Sequence, residues 1–148
     1  LIHDLTEQLH LDRKFDLVVS LEVAEHIPES KADVLVNTLV THGDVILFSA
    51  ALPYQSGENH VNLQYPSYWA KLFERYGYVP IDCIRKEIWD STKVSFWYVQ
   101  NIMLFVNKAK LSDYPKLQAL YIENLRQLDI VHPLLYNAVN ESKLNHNP

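Results

Sequence analysis

The fold is decided by residues 15–28, which have the sequence FDLVVSLEVAEHIP. The apolar run over 15–20 is short, contains β-branched residues and is bounded by charge, which favours a buried strand. Polar residues follow at once: Ser20, Glu22, Glu25 and His26. A buried strand that runs straight into such residues places them at the carboxyl end of a parallel sheet, where open α/β sheets bind their ligands.

Helices and strands alternate on the downstream side of this stretch. Apolar residues recur with helical spacing over 30–40, which predicts an amphipathic helix. Residues 44–51 form a second apolar run typical of a buried strand, and the polar residues 54–64 predict a loop. Pro66 suits the start of a second helix, and Gly77 suits its end.

The region beyond the second helix predicts two further strands, near 82–89 and 98–107, which pair antiparallel because the connection between them is short. Spacing of leucines predicts a helix over 112–128, and we expect the polar tail from His132 to fray. The sequence therefore predicts an α/β fold with a mixed sheet, parallel strands followed by an antiparallel pair, and helices on the faces.

Composition restricts the possible partners and the compartment. The 148 residues carry a formal net charge of -5, so the chain has no electrostatic footprint for nucleic acid. A single cysteine, Cys83, excludes an internal disulfide and fits a reducing compartment. No apolar run approaches the roughly 20 residues that span a bilayer. We expect a cytoplasmic protein with neither nucleic acid nor a membrane as partner.

Residues 15–28 resemble the fourth-strand motif of the class I methyltransferases that use S-adenosylmethionine. The match covers about residues 1–108, so this range is expected to be the C-terminal part of a Rossmann-like methyltransferase domain, and 109–148 a C-terminal helix and tail. Further segments are similar to the same family: His3-Asp4-Leu5-Thr6 upstream; His60-Val61-Asn62, Tyr65, Trp69, Leu72-Phe73 and Tyr76-Gly77-Tyr78 downstream; Trp97-Tyr98-Val99-Gln100-Asn101 before Leu104-Phe105-Val106.

The chain also departs from the family pattern. A Gly-rich turn after the first strand and an acidic residue at the end of the second strand would both precede Leu1. The chain therefore resembles strands four to seven with a stub of strand three. We expect either a further upstream segment or a natural remnant, and the exposed edge of the strand at 15–20 predicts self-association or cover by that missing segment.

The resemblance implies transfer of a methyl group from S-adenosylmethionine to a small-molecule acceptor by direct in-line displacement. It implies that Asp4 and Leu5 contact the adenine side of the cofactor, and that Ser20 and Leu21 line its methionine and sulfonium. The alternative is a non-catalytic, methyltransferase-like remnant that acts as an interaction module.

Two histidines are the predicted catalytic residues. His26 follows the strand end and suits a general base, since its unperturbed pKa of about 6.5 allows proton removal near neutral pH. His60 lies in the polar loop that borders the substrate in such folds. The alternative for His26 is a structural role, in which it braces the turn by hydrogen bonds.

The spacing of Glu22, Glu25 and His26 would place all three on one face of a helix, where they could bind a divalent cation. The same E-x-x-E-H spacing resembles ubiquinone-pathway O-methyltransferases, where it is tied to metal. Many relatives with the motif need none, and we predict no metal here. Several aromatic residues are candidates for a pocket wall, with Trp69 expected in the core: Tyr54, Tyr65, Trp69, Trp97 and Tyr98.

Overall fold

The computed structural model describes residues 1–144, which form an α/β fold. The strands are β1 Val18–Leu21, β2 Val45–Ser49, β3 Tyr78–Ile81 and β4 Met103–Asn107. The α-helices are α1 Ala32–His42, α2 Pro66–Arg75, α3 Ile84–Ile88, α4 Phe96–Asn101, α5 Pro115–Gln118 and α6 Pro133–Leu144. Short 3₁₀ helices cover Ala24–His26, Glu29–Lys31, Lys108–Asp113 and Leu125–Leu128.

The four strands form one mixed sheet in the order β1-β2-β4-β3. β1 and β2 pair in parallel, with Val19 opposite Leu47, and α1 makes the crossover between them. β4 lies antiparallel to both β2 and β3. The parallel strands and the α/β class are thus confirmed, and the two later strands are antiparallel as predicted, although not at the predicted positions.

Side chains alternate across the sheet and build a core on each face. On one face Met103 and Phe105 of β4 join Phe48, α1 and α2, and the rings of Phe73 and Phe105 stack at 3.9 Å. On the other face a smaller cluster contains Val79, Ile81, Val106 and Leu111. Both predicted helices form where expected, as α1 and α2, because their apolar stripes cover this sheet.

The predicted strand near 82–89 is wrong. β3 lies earlier, at Tyr78–Ile81, and the chain then turns into α3. Weak alternation in a short apolar segment does not separate a strand from a helix. Here the side chains decide, because Asp82 and Arg85, three residues apart, meet as a buried ion pair.

The strand predicted near 98–107 is half correct, since β4 begins only at Met103 and α4 takes residues 96–101. The helix predicted over 112–128 is also wrong. Pro115 starts a new, one-turn helix, and the chain then extends so that Tyr121 bridges to Ile81 beside β3. Proline is tolerated in the first turn of a helix, so Pro115 suits the start of α5, but α5 ends after Gln118, where the chain extends towards Tyr121.

The tail from His132, which was expected to fray, forms a helix over its described part: α6 begins at Pro133, and Leu135 is buried against the body of the protein. Residues 145–148 lie outside the described part of the chain. Assignment of 109–148 as a separate C-terminal unit stays a prediction. Over residues 1–144 no helix has both the length and the apolar character needed to cross a bilayer.

β1 is an edge strand of the sheet. Three large apolar side chains along this segment are partly exposed, with Phe15 at 36%, Leu17 at 47% and Val19 at 55%. Within residues 1–144 no strand pairs with the outer side of β1. The structure therefore places the edge where the sequence predicts it.

Candidate functional site

The site is built at the carboxyl ends of the two parallel strands. Since β1 and β2 run in the same direction, the residues that follow Leu21 and Ser49 emerge at the same edge of the sheet. The backbone N–H of Glu22 donates to the carbonyl oxygen of Ser49 at 3.1 Å and to its hydroxyl at 2.9 Å. The two strand ends are thereby joined directly.

The loop after β2 folds back onto the turn after β1. The carbonyl of Glu25 accepts from the N–H groups of Val61 and Asn62, at 2.9 and 3.0 Å. The His26 ring donates from Nδ1 to the Asn59 carbonyl at 3.2 Å. These bonds bring His26 and His60 together, with ring centroids 5.0 Å apart and an edge-to-face angle of 72°.

His60 is placed by a close approach to the backbone of Gly57. A Cβ on Gly57 would lie 2.0 Å from Cε1 of the His60 ring and 2.2 Å from Nε2, so only glycine leaves room for the ring. The predicted histidines therefore lie in one cavity, although 33 residues separate them in sequence.

The cavity has a volume of about 330 Å³. Its walls come from the turn after β1, the loop after β2 and the first residues of α4, which supply three consecutive aromatic rings. The lining residues are Glu22, Glu25, His26, Gln55, Ser56, His60, Phe96, Trp97 and Tyr98.

Glu25 is the most unusual group of the cavity. It is 0% exposed, and among the described residues 1–144 neither of its carboxylate oxygens has a hydrogen-bond partner. The nearest charged candidate is Nε2 of His60, 4.0 Å from Oε1, which is too far for a hydrogen bond. Burial raises the pKa of Glu25 from 4.5 to about 7, and the neighbouring Glu22 carboxylate adds to the rise.

Unpartnered polar atoms gather around this cavity. Of the six buried side-chain atoms without a partner in the described chain, five belong to Glu25, His60, Asn62 and Asn101. Non-glycine residues in the left-handed backbone region gather there too: Glu22, Tyr54 and Asn59, with φ of 51°, 70° and 56°. Both features are typical of sites held for a ligand rather than for stability.

Glu22 has a different environment from Glu25. Its carboxylate accepts from the Asn101 amide at 3.1 Å and from the Gln55 amide at 3.3 Å, and Asn101 also donates to Oε1 of Gln55 at 3.0 Å. A polar network therefore holds Glu22 at the cavity wall, whereas Glu25 has no such network.

The residues that could hold a metal differ from the set considered in sequence. Ligand atoms of Glu25, His26 and His60 lie within 4.8 Å of one another. Glu22 is replaced by His60 in this group, because Glu22 lies in a left-handed conformation before the 3₁₀ turn and not on one helical face with Glu25 and His26. One carboxylate and two imidazoles form a donor set that suits a divalent transition metal.

The four predicted cofactor residues are not among those that line this cavity. Asp4 is exposed, and its Oδ1 accepts from the N–H and hydroxyl of Thr6, bonds that hold the pKa of Asp4 below its usual value. Leu5 packs against the core beside β1. Ser20 is buried and Leu21 half-buried at the end of β1, next to the turn that carries Glu22.

The predicted aromatic wall is correct in part. Trp97 and Tyr98 line the cavity, whereas Trp69 is buried in the core against Phe48, as expected. Tyr54 and Tyr65 are exposed and do not line it. Sequence reasoning missed Phe96, Gln55 and Asn101; the polar pair at residues 100–101 inside an apolar run was the available signal for Asn101.

Comparison with models of protein families, with curated proteins and with solved structures found no match for this chain.

Proposed function

We propose that this chain forms part of a methyltransferase that transfers a methyl group from S-adenosylmethionine to a small-molecule acceptor by direct in-line displacement. One observation carries the proposal. Two histidines and a buried carboxylate meet in a cavity at the carboxyl edge of a parallel strand pair, in the stretch of sequence that resembles that family.

The chain offers some of the groups that would hold the cofactor. Asp4 is exposed, so its carboxylate can accept from an exocyclic amino group, and Ser20 and Leu21 end β1 beside the cavity. When bound, the cofactor supplies an activated methyl group on a sulfonium. The protein then has to align the acceptor and accept any proton that leaves it.

His26 is suited to receive that proton. A carbonyl oxygen only accepts, so the bond to Asn59 places the hydrogen of the neutral ring on Nδ1 and leaves Nε2 as the basic nitrogen. The side chain is exposed at the cavity, so an acceptor can reach it. His60 lies between His26 and Glu25 and can share a proton with Glu25 after a small movement.

The test uses the product of the complete reading frame and measures turnover together with cofactor affinity. We expect His26→Gln to lower turnover by about 10²–10⁴-fold with cofactor affinity retained, which is the usual effect of losing a general base. Gly57→Ala should lower turnover as well, because the new Cβ displaces the His60 ring without removing a polar group. His10→Gln, an exposed histidine elsewhere, is the matched control.

Unchanged turnover in His26→Gln would remove the general base from the proposal. Loss of turnover, of affinity and of melting temperature together would assign His26 to the turn alone. Activity that a chelator abolishes and a divalent ion restores would assign Glu25, His26 and His60 to a metal.

Asp4→Ala should weaken cofactor binding about tenfold for one lost hydrogen bond, and an unchanged affinity in calorimetry would contradict the role of Asp4.

A second candidate is a non-catalytic interaction module, and the edge strand β1 favours it. Unpaired backbone groups along an apolar edge are a template for pairing with another chain. In sedimentation we expect the 148-residue chain to associate and Val19→Lys to reduce the association. An associating complete protein that binds no S-adenosylmethionine would favour the module over the enzyme.

A further inference from the structure

The cavity combines negative charge with aromatic rings. Two of its lining residues, Glu22 and Glu25, are carboxylates, and none of the nine is a lysine or an arginine. Its potential is therefore suited to a cation, and a carboxylate or phosphate group on a ligand would be repelled.

The carboxylate of Glu25 can accept hydrogen bonds from a ligand. It is fully buried, it lines the cavity, and both oxygens lack a hydrogen-bond partner in the part of the chain that the structure describes. A buried carboxylate without donors is costly, so a ligand that brings N–H groups recovers part of that cost on binding. An ammonium group, with up to three donors and a positive charge, supplies what the carboxylate lacks.

The aromatic wall of the cavity suits contact with a ring of the ligand or with its cationic group. Phe96, Trp97 and Tyr98 follow one another at the start of α4; the Phe96 and Trp97 rings lie edge to face at 5.3 Å, and Trp97 is 39% exposed. Aromatic faces attract organic cations and stack on planar groups. The faces of these rings offer no ligand atom to a bare metal ion, so they favour an organic cation, whereas the Tyr98 hydroxyl is the one oxygen of this wall.

We propose that the cavity binds an organic ammonium ion that carries a ring, with the ammonium at Glu25 and Glu22 and the ring against Phe96, Trp97 and Tyr98. The cavity of about 330 Å³ accommodates an arylalkylamine. That this amine is the methyl acceptor rests on the proposed function, whereas its binding does not.

The contacts of α4 support a rigid wall. Gln100 of α4 is 0% exposed, and its amide bonds the backbone of both Ile130 and His132. Arg85 also donates to the Gln100 carbonyl at 3.4 Å. The helix that carries the aromatic wall is therefore anchored before any ligand arrives, which favours binding by limiting the loss of conformational freedom.

The experiment compares three probes of nearly equal shape with the 148-residue chain at pH 8: benzylamine, benzyl alcohol and benzoate. Calorimetry and the NMR signal of the Trp97 indole N–H report binding, without cofactor. We expect saturable binding of benzylamine, at least tenfold tighter than benzyl alcohol, and none of benzoate. Equal affinity for amine and alcohol, or preference for benzoate, overturns the proposal.

Variants locate the binding. Glu25→Gln and Trp97→Leu should each weaken benzylamine at least fivefold, whereas Glu58→Gln, which removes the same charge from an exposed position of the neighbouring loop, should not. Trp97 is partly exposed, so Trp97→Leu keeps the test valid if Glu25→Gln fails to fold. Equal losses in Glu25→Gln and Glu58→Gln would indicate a general charge effect and overturn the site.

The last experiment titrates the chain with zinc chloride and with magnesium chloride. Metal binding at the site without benzylamine binding overturns the organic cation in favour of a metal. Benzylamine binding by a complete protein that transfers no methyl group leaves this proposal standing and refutes the proposed function, so the two failures are distinguishable.

Discussion

Asp82 and Glu25 are both buried carboxylates, 2% and 0% exposed, yet their surroundings are opposite. Asp82 accepts from Nε and Nη2 of Arg85, at 2.9 and 2.8 Å. Within residues 1–144, neither carboxylate oxygen of Glu25 has a partner at hydrogen-bond geometry, although the nearby backbone N–H groups of Glu25 and Ala51 partly offset the rise of its pKa. A buried charge with its donors in place is part of the architecture, whereas one without donors at a cavity marks a place for a ligand.

The arginine of the Asp82–Arg85 pair joins distant parts of the chain. Nη1 of Arg85 donates to the carbonyl of Leu128 at 2.9 Å and to that of Gln100 at 3.4 Å. Through this side chain, α3, α4 and the Leu125–Leu128 turn are held together beneath the aromatic wall of the cavity. The Asp82–Arg85 pair therefore supports the position of α4, which carries the aromatic wall of the cavity.

Breaking the paired carboxylate should have the largest effect. Arg85→Leu leaves Asp82 charged, buried and without its donors, and we expect a loss of about 3–5 kcal/mol in the free energy of unfolding, measured with urea. The double variant Asp82→Leu, Arg85→Leu should recover much of that loss, since no buried charge remains. A loss under about 1 kcal/mol in Arg85→Leu would show that the pair is not the structural element proposed here.

Removing the charge of the unpaired carboxylate should act in the opposite direction and depend on pH. The folded-state pKa of Glu25 is raised to about 7, above its ordinary 4.5, so folding favours the protonated form. Its favourable contribution is present below about pH 4.5 and is lost as the pH rises towards 7, at about 1.4 kcal/mol per pKa unit.

Relative to the wild type, Glu25→Gln should therefore gain about 3 kcal/mol between pH 4.5 and pH 8, because glutamine does not ionise. Urea unfolding of both proteins across this pH range measures the difference. Glu58→Gln, at an exposed position, should show a nearly flat difference over the same range. A flat difference for Glu25→Gln would mean that Glu25 is not desolvated.

Glu22 lies between these extremes because its carboxylate has two amide donors, and removing one of those donors should have the smallest effect. Asn101→Ala removes the donor to Glu22 and Gln55, and hydrogen bonds to charged groups contribute about 1.5–3 kcal/mol. We expect a loss of about 1–2 kcal/mol, since Oδ1 of Asn101 is itself unpartnered and its removal is favourable. Asn37→Ala, which removes an exposed bond to Gln8, should cost under about 0.5 kcal/mol.

The candidate site could be predicted only residue by residue. The end of β1 was visible because an apolar run passes directly into charged residues, and the loop after β2 because it is polar. That His60 takes the place of Glu22 beside Glu25 and His26 was not visible, since helical spacing assumes a helix and Glu22 has a φ of 51°.

The sequence by itself determined β1, α1, β2 and α2, because β1 and β2 lie in short apolar runs bounded by polar residues, and α1 and α2 have helical spacing with proline or glycine near their ends. Only the tertiary structure decided the form of residues 82–132. Residues 84–88, within a predicted strand, form α3, in which Arg85 makes a buried ion pair with Asp82. Tyr121, within a predicted helix, is extended and pairs with Ile81 of β3. Contacts between residues far apart in sequence outweigh local preference when they bury charge or complete a sheet edge. Such contacts cannot be predicted from the spacing of apolar residues along the chain.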